Sequence, residues 1–174
     1  MDWLTLSLFL IVTSVCSVTA QAPKDLLDGG WKGIKVFEST RAHVEKLLGK
    51  PTKVENGDFW YETSEARYRF VFSYDPCSAP DTLVGGFKVK AGVVLEYEVR
   101  PTKIITIGDL GIDLNIYKRS DPFHALNFSH YDNRAAGIYI EALVMSEPHK
   151  EFVQMIYFWH TLEQNARYSC RKSK

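Results

Sequence analysis

The chain has 174 residues, 45% of them hydrophobic and 24% charged. That balance excludes a disordered tail, a collagen-like repeat and a multi-span membrane protein. Lys plus Arg is 21 and Asp plus Glu is 21, so neither a basic nucleic-acid binder nor an acidic solvating tail is expected.

Residues 1–20 read as an export signal. Leu4, Leu6 and Leu8 to Val12 form an apolar run, and Val18-Thr19-Ala20 places small residues at a cleavage site. The run departs from the type in carrying Asp2 and no basic residue ahead of it. The alternative is an uncleaved anchor, since Trp3 to Ala20 is at the short end of a spanning helix. Cys16 follows Val15 rather than Gly or Ala, which disfavours a lipid-attachment site. On the cleavage reading the mature chain has a net charge of about +1 and the length of one domain.

Cleavage leaves two cysteines, Cys77 and Cys170. In an oxidising compartment an even pair is expected to bridge, with two separate thiols as the alternative.

Residues 21–30 read as a flexible tether, and 31–174 as a single α+β domain. Trp31 to Phe37 is an extended lead-in. A short helix follows, capped by Ser39 or Thr40, with Ala42, Val44, Leu47 and Leu48 on its apolar side. Gly49 stops it and Pro51 blocks continuation. Asn56-Gly57 is a tight turn. Phe59 to Thr63 and Ala66 to Tyr74 form a hairpin about Ser64-Glu65. Its second arm faces Tyr68, Phe70, Phe72 and Tyr74 one way, and Arg67 and Arg69 the other.

Pro76 to Gly86 is a loop. Val93 to Arg100 alternates as a strand ending at Pro101. Ile104 to Ile107 is a short strand, Leu110 to Ile116 alternates between glycines, and Ser120 to Asn127 is a loop. Ile138 to Val144 and Phe152 to Trp159 form a last hairpin about Glu147-Pro148. These elements predict a short helix packed on a mainly antiparallel sheet of about six strands.

The stretch Trp31-Lys-Gly-Ile-Lys-Val-Phe-Glu-Ser-Thr-Arg-Ala-His-Val-Glu-Lys-Leu-Leu-Gly-Lys-Pro51 resembles the opening of a group of uncharacterised exported bacterial proteins. The resemblance continues at Tyr74-Asp-Pro-Cys77, Val94 to Pro101, Leu110-Gly-Ile-Asp-Leu114, Met155-Ile-Tyr157 and Cys170. It implies export and no particular activity. Thr40 to Pro51 is also similar to outer-membrane assembly lipoproteins of the SmpA/OmlA type, in which such a helix packs on a small antiparallel sheet. The chain departs from that type in lacking a lipid box and in having more strands. Beta-lactamase-inhibitor proteins use a similar helix-on-sheet unit, which would imply an inhibitor of a secreted enzyme only by analogy of fold.

No His-Glu-x-x-His, Cys-x-x-Cys, Gly-x-Ser-x-Gly or phosphate-cradling glycine pattern occurs. His124, His130 and Asp132, placed in a loop with Asp121 nearby, are the best candidate set for holding a borderline metal. They define the alternative reading of a metal-dependent hydrolase, against a polar loop whose histidines face water. Phe59-Trp60-Tyr61 and Tyr157-Phe158-Trp159 are consecutive aromatics. Neighbours on a strand point to opposite faces, so at least one ring of each triplet turns away from the main core. Trp60, Tyr61, Tyr157 and Trp159 are therefore the candidate binding residues, unless a second layer or the tail covers them.

The sequence thus points to an exported, non-catalytic domain, periplasmic or extracellular. It would be a protein-binding or structural module of the cell envelope, its partner another envelope or secreted protein. No cofactor and no nucleic acid are implied, and a membrane only through an uncleaved signal segment.

Overall fold

The computed structural model describes residues 30–77, 86–120, 127–145 and 150–170. The apolar run, most of the tether, His124 and the Glu147-Pro148 turn lie outside the described residues. No helix among the described residues is long and apolar enough to cross a membrane.

The architecture is α+β, with a single antiparallel sheet of eight strands rather than about six. The strands are β1 Lys53–Glu55, β2 Asp58–Glu62, β3 Ala66–Phe72, β4 Val94–Pro101, β5 Lys118–Ser120, β6 Phe128–Asn133, β7 Ile138–Met145 and β8 Lys150–Phe158. Their order is β1-β2-β3-β4-β8-β7-β6-β5. Asn56 and Gly57 both have positive φ, 51° and 85°, the requirement of the tight β1–β2 turn. The two halves join where β4 pairs with β8, Tyr97 opposite Phe158 and Val99 opposite Ile156.

The inner face carries the core. Phe70 is fully buried, its ring 5.1 Å from Tyr97 and 5.4 Å from Tyr61. Tyr97 stacks on Phe158 at 4.4 Å. Ile140 and Ile156 extend the same layer into the second half. The chain before the first helix is pinned to this layer. Trp31 N–H donates to the Tyr97 hydroxyl at 2.9 Å, and that hydroxyl donates to the Ile34 carbonyl at 2.7 Å. The lead-in is not extended throughout: Trp31–Gly33 forms a 3-10 turn, with Lys32 at φ 55° between Gly30 and Gly33.

Helix α1, Arg41–Leu48, begins at Thr40, whose Oγ1 accepts from His43 N–H at 3.3 Å. It ends at Gly49, φ 86°. Arg41 lies 4.4 Å over the Phe59 ring, which places α1 on the inner face. The expected apolar side is corrected: Val44 is fully buried and Leu48 half-buried, but Leu47 is 44% exposed and Ala42 is exposed. At about 100° per residue, Val44 and Leu48 nearly coincide, while Leu47 sits about 60° to the other side and Ala42 opposite. Val44→Ala is therefore expected to cost about 2 kcal/mol, and Leu47→Ala about 0.5 kcal/mol or less. Urea unfolding of the two variants checks the assignment; the reverse order would place the wrong face inward.

A second helix, α2 at Leu162–Tyr168, was not anticipated. Thr161 and Gln164 form a reciprocal capping box at its start. Residues 110–116 also depart from expectation, folding as 3-10 turns at Gly108–Leu110 and Leu114–Ile116. The segment around Thr106 makes a single bridge to Phe152 rather than a full strand.

Cys77 and Cys170 are bonded, S–S 2.05 Å. Beside the disulfide, Phe37, Phe87 and Tyr168 pack as a ring cluster, with Phe37 5.1 Å from Tyr168. His160 joins it, 5.0 Å from Phe87, and burial pushes its pKa down.

Candidate functional site

Alternation along the strands sends the candidate aromatics to different faces. Tyr61 points inward, 1% exposed, and burial pushes its hydroxyl up to about 12. It is a core residue, which corrects its inclusion among the binding residues. Trp60, one position earlier, turns outward and stays half-buried. Tyr157 and Trp159 share that outer face, edge-on to each other at 5.6 Å, while Phe158 between them joins the core.

The register lines up one continuous outer row across all eight strands: Lys53, Trp60, Arg69, Glu98, Tyr157, Tyr139, Asp132 and Lys118. Each member directly opposes the next, the arrangement in which cross-strand side chains interact. Trp60 and Tyr157 stand three strands apart, about 14 Å. Helix α1 lies on the inner face through Arg41 and Phe59, and α2 through Tyr168 and Phe37. Neither described helix covers the outer row.

Between the two aromatic positions lies an ion network that the sequence reading had not singled out. Arg69 Nη1 is 3.1 Å from Asp58, Nη2 3.4 Å from Glu96, and Nε 3.8 Å from Glu98. Arg100 also pairs with Glu98. Burial works against the Arg69 charge, but Asp58 and Glu96 outweigh it and its pKa rises. Tyr157 is pushed up by burial and then by Glu96, to which it is hydrogen-bonded, so it remains a neutral phenol. The signal for this network was present: strand alternation puts Arg67, Arg69, Glu96, Glu98 and Arg100 on one side, and antiparallel pairing of β3 with β4 brings them together.

His130 and Asp132 are on strand β6, not in a loop, and both face outward. His130 Nε2 is 3.5 Å from Glu141, and its ring packs on Tyr139 at 5.2 Å. Asp132 pairs with Arg134 at 3.1 Å. Tyr139 is pushed up to about 12, by burial first and then by Glu141 and Asp132. His124 falls outside the described residues. Among the described residues, no group of three or more His, Cys, Asp or Glu is placed to hold a metal ion. Of the other histidines, His43 lies on exposed α1 with Nδ1 3.3 Å from Ser39 Oγ, and His149 is outside the described residues.

No family model matches the chain, and no curated protein does. Among solved structures, a DUF4309 family protein (YjgB) from Bacillus subtilis aligns with a TM-score of 0.47 at 12% identity. The alignment covers 81% of this chain and 94% of that one.

Chemically, the outer face offers flat aromatic area beside paired charges. Rigid Trp and Tyr rings contribute contact area at low conformational cost. That combination suits recognition of another surface.

Proposed function

We propose that this is an exported, non-catalytic binding domain of the cell envelope, and that it engages another envelope or secreted protein through the outer face of its sheet. The observation that carries the reading is the outer row, in which Trp60 and Tyr157 flank the Arg69 network with no described helix over them. The apolar run at residues 1–20 and the Cys77–Cys170 bond support an oxidising, extracytoplasmic setting. Interfaces concentrate their energy in a few aromatic and arginine side chains, and the row holds both kinds.

Cross-linking of the tagged chain in intact cells, with mass spectrometry of the adducts, tests this. One reproducible envelope or secreted partner is expected, with adduct yield falling at least about tenfold in Trp60→Ala, in line with loss of one aromatic anchor. Leu47→Ala, on the opposite side of the sheet, should leave the yield unchanged. No adduct, or an adduct indifferent to Trp60, overturns the reading.

A further inference from the structure

The outer face is not uniform. Its centre is strand β8, whose outward side chains Met155, Tyr157 and Trp159 are half-buried, while Ile156 and Phe158 between them join the core. Charges lie to both sides. Arg69, Glu98 and Arg100 stand on β3 and β4, and Glu141, Asp132 and Lys118 on β7, β6 and β5. An apolar, aromatic centre with a charged rim is the anatomy of a protein interface.

The order of those charges selects the occupant. A two-fold axis laid along β8 turns a second copy face to face with the first and reverses its strand order. Strand β8 then meets β8, β4 meets β7, β3 meets β6 and β2 meets β5. Heights along the strands are unchanged by the rotation. In the outer row this sets Tyr157 against Tyr157, Arg69 against Asp132 and Trp60 against Lys118. Two residues further along the strands it sets Met155 against Met155 and Arg100 against Glu141. Arg69 and Asp132 each keep one polar atom without a hydrogen-bond partner among the described residues, Nε and Oδ1. Among these positions the unfavourable opposition is Arg67 with His130, and only when the imidazole is charged.

The dimensions also fit. Facing sheets lie about 10 Å apart with strand directions within about 30°, a gap that Met, Tyr and Trp side chains fill. The overlap runs from β2 to β5 in sheet order, about 29 Å across the strands and about 20 Å along them. That is roughly 600 Å² per copy, at the lower end of specific interfaces.

We propose that the outer face pairs two copies of this chain about a two-fold axis along β8. The pairing covers Trp60 and Tyr157, so a partner protein must compete with the second copy. That competition rests on the partner-binding reading; the pairing does not.

Sedimentation equilibrium of the disulfide-bonded chain, from low micromolar to near-millimolar concentration, tests the pairing. A reversible monomer–dimer equilibrium is expected. Met155→Glu places two carboxylates at the axis and should weaken it at least about a hundredfold, because facing like charges oppose association. Arg100→Glu and Glu141→Arg should each weaken it at least about tenfold. The double variant should restore it, since β8 separates the two side chains within one copy. Thermal midpoints near the parent's establish that the variants are folded. A parent that stays monomeric overturns the pairing. So does a dimer indifferent to folded Met155→Glu, or a charge swap that fails to rescue. In intact cells Glu141→Arg, which leaves Trp60 and Tyr157 in place, should raise the yield of partner adduct; an unchanged or lower yield overturns the competition. Partner adducts from a monomeric parent would sink the pairing alone, and a dimer without partner adducts would sink the partner reading alone.

Discussion

Replacing both Cys77 and Cys170 by Ser is expected to lower the unfolding free energy by about 4–5 kcal/mol. The two residues are 93 positions apart, and in the chain-entropy model a loop of that length restricts the unfolded chain by about this amount. In the folded state the bond ties the loop after β3 to the end of α2. Much else holds the same junction: Cys77 N–H donates to the Phe87 carbonyl at 2.9 Å, Lys88 N–H to Tyr168 at 2.7 Å, and Tyr168 packs on Phe37. The double variant should therefore keep its native near-ultraviolet dichroism in buffer while its urea midpoint falls. Reduction of the parent should reproduce the shift. A loss below about 1 kcal/mol would mean that the unfolded chain is already constrained without the bond, or that the bond strains the fold.

The local signals that proved legible share a physical basis. The β2–β3 hairpin, β4 and the β7–β8 hairpin alternate in residue type, and β7 and the first part of β3 also alternate in burial, with hydrophobic side chains on the inner face. The strands that escaped notice lack it for identifiable reasons. Lys53–Glu55 and Lys118–Ser120 are short edge strands, exposed throughout and without an apolar stripe; charged, short edges deter pairing with other chains. Strand β6 inverts the pattern, burying Ser129 and Asn133 beside Tyr131 while Phe128 is only half-buried. A reading by hydrophobicity assigns such a segment to a loop. Helix α2 did carry a signal, because Thr161-Leu-Glu-Gln164 fits the capping-box pattern.

The site was legible only as far as alternation reaches. Consecutive aromatics indicate that one ring of each triplet turns outward, and the pleat then selects Trp60 over Tyr61 and separates Tyr157 and Trp159 from Phe158. The register that sets Trp60 opposite Arg69, and Glu98 opposite Tyr157, depends on strand order. That β8 rather than a sequence neighbour sits beside β4 is a long-range pairing that no local pattern encodes.

The core itself supplies the second large effect. Phe70→Ala is expected to destabilise the fold by about 3–5 kcal/mol. The ring is fully buried and sits at the centre of the inner layer, 5.4 Å from Tyr61, 5.7 Å from Phe72 and 5.1 Å from Tyr97. Its neighbours are held by their own strands and by the hydroxyl bonds of Tyr97, so they cannot close freely over the space left behind. The loss should therefore approach the upper end of the range, since the cost of truncation grows with the cavity that remains. Arg67→Ala, on the outer side of the same strand and exposed, gives the contrast: its pair with Glu62 at 2.9 Å lies at the surface, where such pairs contribute about 0–1 kcal/mol. Equal losses in the two variants would contradict the assignment of inner and outer faces, and with it the placement of Trp60 and Tyr157 on the outer face. A large loss for Phe70→Ala alone separates a core that stabilises the sheet from an outer face where truncation of a surface ion pair costs little.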